Sequence, residues 1–265
     1  MKPKIHLLGI VNLTDDSYYA ASRAASCEAF LERVERMVSE GADAIDIGAC
    51  STRPGAEPVG AEEEWRRLKP ALKALRKEFP QVRVSIDTYW ASVVERVYDC
   101  IGPFIVNDIS AGAYDDAMLP LAGRLGLPYI AMHLRGTPKT MQTLTDYPDG
   151  VTAEVLRYFR EFAAKAAEAG VTDWILDPGF GFAKTVEQNW TLLRELDQLL
   201  VLERPILVGV SRKSMIYKRF GITPEEALPA TQVAQYIALQ HGATWLRVHD
   251  VAEARRTAAL YSSMR

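Results

Sequence analysis

"ILVGVSRKSM", residues 206–215, begins as a buried strand and stops in charge. Residues 206–210 carry no polar side chain, as a strand covered on both faces requires. Ser211-Arg212-Lys213-Ser214 then bring two hydroxyls and two cations. Seven other apolar runs precede or follow it: "IHLLGIVN" (5–12), "ADAIDIGA" (42–49), "VRVSIDT" (82–88), "FIVNDIS" (104–110), "PYIAMH" (128–133), "DWILDPGF" (173–180) and "WLRVHD" (245–250). Amphipathic stretches separate them. In "EAFLERVERMVSEGAD" the spacing puts Phe30, Leu31, Val34 and Val38 on one helical face, with Gly41 as the stop. "AEEEWRRLKPALKALRKEF", "EVLRYFREFAAKAAEAG" and "EQNWTLLRELDQLL" read as further helices. Eight strand–helix units with no linker between halves favour one α/β domain over residues 1–265, a (β/α)8 or TIM barrel. The alternative is a doubly wound sheet, but no glycine-rich turn follows the first strand.

Composition agrees with one folded domain. The chain has 265 residues, 48% hydrophobic and 25% charged, which argues against disorder. A net charge of -3 gives no global attraction to nucleic acid or to an anionic membrane, so an anion site must be local. Cys27, Cys50 and Cys100 make neither a disulfide framework nor a zinc pattern, and a reducing cytoplasm is expected. Lys2, Lys4 and the apolar run after them have a superficial likeness to a signal peptide, but His6, Asn12 and Asp15-Asp16 interrupt it. We read a first strand. No run approaches the ~20 apolar residues of a membrane helix.

In such a barrel the active site lies where the strands end. The run ends supply Asn12, Asp46, Asp87, Asn107 and Asp108, His133, Asp177, residues 211–213, Arg247 and His249. Any one of these can cap a turn, but eight ends converging on one mouth are harder to explain so. Asp87, Asn107 and Asp177 suit the N–H donors of a planar nitrogen heterocycle. Thr52, Arg53, Lys213, Arg247 and His249 suit phosphate oxygens. Three other readings weigh less. "GFGFAKT" (179–185) has a Walker-like look, but Ala183 stands where glycine is required and the spacing is short. Cys50 is expected to be structural and His133 to hydrogen-bond rather than to ligate a metal.

"GIVNLT", "DIGACSTRPGA", "SIDT", "VNDIS", "MHLRGTPKTMQ", "ILDPGFGFAKT", "LVGVSRKSM" and "LRVHDV" appear in an order that resembles the dihydropteroate synthase family across essentially the whole chain. The resemblance implies a transferase of folate biosynthesis. It would condense 6-hydroxymethyl-7,8-dihydropterin diphosphate with p-aminobenzoate and release diphosphate. It implies a pterin site of Asp87, Asn107, Asp177, Lys213 and Arg247, with Asp87, Asp177, Lys213 and Arg247 carrying catalysis. It implies a diphosphate site of Asn12, Thr52, Arg53, Arg247 and His249, with Asn12 also ligating Mg2+. The p-aminobenzoate pocket would use Tyr18, Pro54, Phe182, Lys213 and Ser214, and sulfonamides would target it. A cytoplasmic homodimer joined by late barrel helices is implied as well. Lys213 would face inward, while Arg212 would support the loop from outside, so Arg212→Ala should be mild.

The chain departs from the family pattern in three loops. Asp15, Tyr18, Ala20 and Ala21-Ser22 alter the first, which is therefore expected to be poorly ordered without substrates. Cys50 replaces a usual Glu in the second, and Ala183 a usual Gly in the sixth. These changes leave two other readings open: a non-catalytic pterin binder and a pterin-dependent methyl transferase. The retained "SRK", "STRPG" and "KTMQ" argue against both.

Overall fold

The structure is a computed structural model and describes residues 4–13, 23–50 and 59–264, the side chains of the second segment from residue 27. Strands and helices alternate: β1 (His6–Asn12), α1 (Arg23–Ser39), β2 (Ala44–Gly48), α2 (Ala61–Glu78), β3 (Val84–Asp87), α3 (Ala91–Ile101), β4 (Ile105–Asp108), α4 (Met118–Leu125) and β5 (Tyr129–Met132). After these come α5 (Val151–Glu168), β6 (Trp174–Asp177), α6 (Val186–Arg194), β7 (Leu207–Val208), α7 (Ser214–Phe220), α8 (Leu228–Gln240), β8 (Trp245–Val248) and α9 (Val251–Ser263). All strand pairs are parallel, in the order β6-β5-β4-β3-β2-β1-β8-β7. A bridge from Leu176 to Ile206 joins the two ends, so the sheet closes as the expected (β/α)8 barrel.

Two apolar layers follow from the period-2 alternation of strand side chains. Leu7, Val11, Ile45, Ile47, Val84, Ile86, Val106, Leu176, Val208, Leu246 and Val248 share one cluster with helix residues such as Phe30, Leu68, Val94 and Phe159. That is the packing between barrel and helices. The opposite parity gives a second, separate cluster of Leu8, Ala44, Ile105, Ile130, Ile175, Leu207 and Trp245, one residue from each of seven strands. This cluster plugs the barrel, and the His6 ring stacks on Trp245 at 4.4 Å beneath it. Moving two residues up from the plug leads directly to Asp46, Asn107, Asp177 and Arg247 on β2, β4, β6 and β8.

Local departures from the sequence reading have local causes. In α1 the buried stripe is Phe30, Val34 and Met37, while Val38 is 37% exposed. At 3.6 residues per turn, Met37 returns to the phase of Phe30 and Val38 overshoots it. "EQNWTLLRELDQLL" is not one helix: α6 ends at Arg194 and a 3-10 segment runs Leu196–Leu202. Leu193, Leu196 and Leu199 are all buried, and their spacing of three matches the tighter helix. The seventh strand holds two residues, although residues 206–210 are all buried as expected.

Glu64, in the first turn of α2, is fully buried, and neither carboxylate oxygen has a hydrogen-bond partner among the described residues. Burial pushes its pKa up to about 7, and Thr88 and Arg67 counter this only in part. A folded-state pKa above the unfolded one means that native Glu64 holds its proton longer. Its stabilising contribution is full below the unfolded pKa and is lost as pH rises through about 7. Glu64→Gln should therefore gain stability relative to wild type between pH 5 and pH 8, by up to about 3 kcal/mol. Urea unfolding at both pH values measures this. A difference independent of pH would contradict it.

Candidate active site

Strand register sets the site. Asn12 pairs with Gly48, Gly48 with Asp87, and Asp87 with Asn107, so four adjacent strands present one row at the mouth. Gly48 leaves the row open: a Cβ there would lie 3.5 Å from Asn12 Oδ1 and 3.6 Å from Asp87 Oδ2. Asp177 and Arg247 reach the same space from β6 and β8.

Arg247 ties the floor together. Its Nε donates to Asp46 Oδ2 at 2.7 Å, and its terminal nitrogen donates to Asp87 Oδ2 at 2.8 Å. Asp46 also accepts from Asn107 Nδ2 at 3.1 Å and from Ser85 Oγ at 2.6 Å. Asp46 is wholly buried and all its bonds hold site residues in place. Sequence reasoning marks it as a strand-end acid but gives it no role. Its signal is parity: Ala44 in the plug, Asp46 two residues above. Asp108, by contrast, points away: it accepts from Ser110, Gly112 and Tyr129 and shapes the loop after β4.

The turn after β6 supplies the other wall. Gly179 N–H donates to Asp177 Oδ1 at 2.8 Å. Lys213 does turn inward: its Nζ donates to Phe180 O at 2.5 Å and lies 4.9 Å from the Phe182 ring centre. Gly209 makes room, since a Cβ there would lie 3.8 Å from both Lys213 Nζ and Arg247 Cβ. Ser214 opens α7 directly behind Lys213. His249 donates its backbone N–H to Ser211 Oγ at 3.3 Å. Thr52, Arg53, Pro54 and Tyr18 lie outside the described residues, as does the altered first loop.

Burial displaces the charges. It pushes Asp87 up to about 7, reinforced by Asp46 and Asp108 and opposed by Arg247. Asp177 is raised by burial against the pull of Lys213. Lys213 is lowered to about 8 by burial. Burial, aided by Arg247, lowers His249 to about 4, so it meets an anion as a neutral donor. Arg247 is raised by its carboxylate partners despite its burial. Such a floor favours a planar ligand rich in N–H donors, because the carboxylates lack enough donors of their own.

Two residues that the sequence reading sets aside lie just behind this wall. Lys184 Nζ bonds His133 Nδ1 at 2.9 Å, Gly179 O at 3.0 Å and Phe182 O at 3.0 Å. Burial lowers Lys184 to about 7 and holds His133 well below its usual range. No group of three or more metal-ligating side chains occurs among the described residues. Cys50 is buried with its sulfur 3.5 Å from Tyr89 Oη.

Arg212 lies behind the loop, as expected, and its bonds bear on stability, whereas the expected mildness of Arg212→Ala concerns activity. Its guanidinium grips Asp250 at 2.8 and 2.9 Å and donates to Pro224 O and Glu225 O. Its own backbone is left-handed, with φ 51°, which costs about 1–2 kcal/mol in a residue with a side chain. Arg212→Ala should cost about 2 kcal/mol, as charged hydrogen bonds do. Asp250→Ala in that background should add little. Denaturant unfolding of both singles and the double tests this, and additive losses would contradict the pairing.

Comparison with known proteins places the geometry. The model of the pterin binding enzyme family matches residues 8–249. The dihydropteroate synthase of Escherichia coli (strain K12) is 40% identical over 250 residues, covering 94% of this chain and 87% of that one. A Clostridium difficile dihydropteroate synthase structure, solved in the presence of pteroic acid, superposes with a TM-score of 0.92 at 33% identity, covering 99% of this chain and 97% of that one. The Thermus thermophilus enzyme in complex with 4-aminobenzoate gives 0.86 at 39% identity, covering 99% and 95%. The chain belongs to the dihydropteroate synthase family of pterin binding enzymes.

Proposed function

We propose that this chain condenses 6-hydroxymethyl-7,8-dihydropterin diphosphate with p-aminobenzoate to give 7,8-dihydropteroate and diphosphate. The observation that carries this reading is the buried array of Asp87, Asn107 and Asp177 around Arg247 and Lys213. The pterin ring lies in the mouth with its amino edge on Asp177, whose carboxylate accepts paired N–H donors. Asp87 and Asn107 hold the ring's other polar atoms. Arg247 lies against the ring face and extends its charge toward the diphosphate. Asn12 and His249 line the diphosphate side, with Thr52 and Arg53 from the second loop. Phe182, Lys213 and Ser214, with Tyr18 and Pro54, form the p-aminobenzoate pocket.

The p-aminobenzoate nitrogen attacks the exocyclic CH2 with its lone pair. The carbon–oxygen bond breaks, its electrons leave on diphosphate, and the amine then loses a proton. Positive charge that develops on the pterin is stabilised by the Asp177 carboxylate. The aromatic amine needs orientation more than a base, and the Phe182 ring and Lys213 supply it. The Asn12 amide oxygen, beside the open space over Gly48, suits a hard cation that takes its remaining ligands from water and phosphate. Mg2+ held there would spread the charge of the departing diphosphate.

The whole chain acts as one barrel domain. Val233 of α8, 61% exposed, and Leu260 of α9, 56% exposed, support pairing of two copies through the late helices. Cys27, Cys50 and Cys100, none in a disulfide, fit a reducing cytoplasm. No helix among the described residues is long and apolar enough to cross a membrane.

Diphosphate release that depends on p-aminobenzoate and on a divalent metal tests the reading. Release without p-aminobenzoate, or none under any condition, would contradict it, and full activity in excess chelator would remove the metal. Asp177→Asn should abolish turnover and weaken pterin binding by about 2–5 kcal/mol, because the amide presents a donor to donors. Calorimetry reads the second effect, and unchanged affinity would take Asp177 out of the pocket.

A further inference from the structure

Lys184 is 4% exposed and His133 is fully buried, and neither belongs to the ligand-facing groups assigned above. A lysine is rarely buried so deeply without a task. Two of the three bonds from Nζ end on the turn at residues 179–182, at Gly179 O and Phe182 O, and the third ends on the His133 ring. The same turn donates Gly179 N–H to Asp177, offers Phe180 O to Lys213 and presents the Phe182 ring.

The turn is tightly packed and partly left-handed, and besides Lys184 it is held by Gly181 N–H on Asn189 Oδ1 at 2.7 Å and by Tyr147 Oη on Ala183 O at 2.7 Å. Gly179 has φ 71°, and a Cβ there would lie 2.1 Å from His133 O, so the turn is pressed against the end of β5. Gly181 (φ 84°) and Ala183 (φ 50°) are also left-handed. Beyond the lysine the chain is fixed at once: Thr185 and Gln188 form a capping box at the start of α6. Lys184 thus ties a strained turn to a fixed helix on one side and to the His133 ring on the other. His133 Nε2 has no partner among the described residues, which agrees with a ring placed to serve Lys184 through Nδ1.

We propose that Lys184, seated on His133, is a positioning residue for the reaction: it fixes the 179–182 turn, and through it the Phe182 ring and the Phe180 carbonyl that aims Lys213. The inference rests on the assignment of Phe182 to the p-aminobenzoate pocket. Its consequence is kinetic. A molecule without the Lys184 ammonium should remain folded in the barrel but meet p-aminobenzoate with a misplaced ring and cation.

Lys184→Met keeps length and removes every donor. With rates referred to active sites, its KM for p-aminobenzoate should rise at least tenfold. A purely structural role would lower the melting temperature and the active fraction while leaving that KM within threefold of wild type, and this result would overturn the proposal. Should Lys184→Met fail to fold, His133 decides. His133→Asn keeps an acceptor for Nζ and should stay near the wild-type KM, whereas His133→Leu removes it and should raise KM. Equal values for the two would also overturn the proposal. Phe182→Ala separates the two levels of the argument. If it raises KM and the Lys184 and His133 variants do not, the positioning role fails alone. If Phe182→Ala leaves KM unchanged, the pocket assignment fails first.

Discussion

The site depends on one buried guanidinium. Arg247 enters the barrel from β8 and finds Asp46 and Asp87 within hydrogen-bond distance. A cation taken out of water costs several kcal/mol unless its partners have excellent geometry and are themselves satisfied. Asp46 meets that condition by also taking bonds from Ser85 and Asn107. The five side chains therefore stand or fall together, and with them the register of β2, β3, β4 and β8. Below the network lies a plug of aliphatic residues and Trp245 that excludes solvent. Above it lies the mouth. The network serves as the floor of the site and as the top of the core.

The barrel was legible because the same two facts recur in every unit: an apolar run, then a polar end. The interior row was legible at Asn12, Asp87, Asn107, Asp177, Lys213 and Arg247, because these residues close their runs. Asp46 was also marked as a strand-end acid but given no role, because only its bond to Arg247 of β8 gives it a task. Lys184 was hidden for a related reason. Its motif was weighed as a phosphate loop, and nothing local says that its ammonium turns back onto His133, fifty-one residues earlier in the chain. Long-range pairing of this kind leaves no periodic trace. Val38 was misplaced by simple helix phase, and the Arg212–Asp250 pair was not foreseen because the two are distant in sequence.

Two departures from the family pattern meet in space. Cys50 and Ala183 lie in one small apolar cluster with Tyr89, Ile109, Met132, Leu134 and Met141, beside the mouth and apart from the main core. Both changes exchange a polar or flexible residue for a small apolar one, and both side chains are buried there. Ala183 keeps the left-handed backbone that glycine would adopt more readily. The turn bearing Phe182 thus keeps its shape with a methyl group added to its support.

If Arg247 and its acids form a floor that is built before the ligand arrives, then Asp46 controls pterin binding without contributing to the ligand-facing surface. The direct measurement is calorimetric pterin affinity of Asp46→Asn, with circular dichroism to confirm the fold. The amide would turn a donor toward Arg247 or Asn107 and release the guanidinium from its position. The account predicts affinity at least tenfold weaker in a folded barrel. Wild-type affinity in folded Asp46→Asn would contradict it, because the ring would then be recognised without the arrangement that Asp46 enforces.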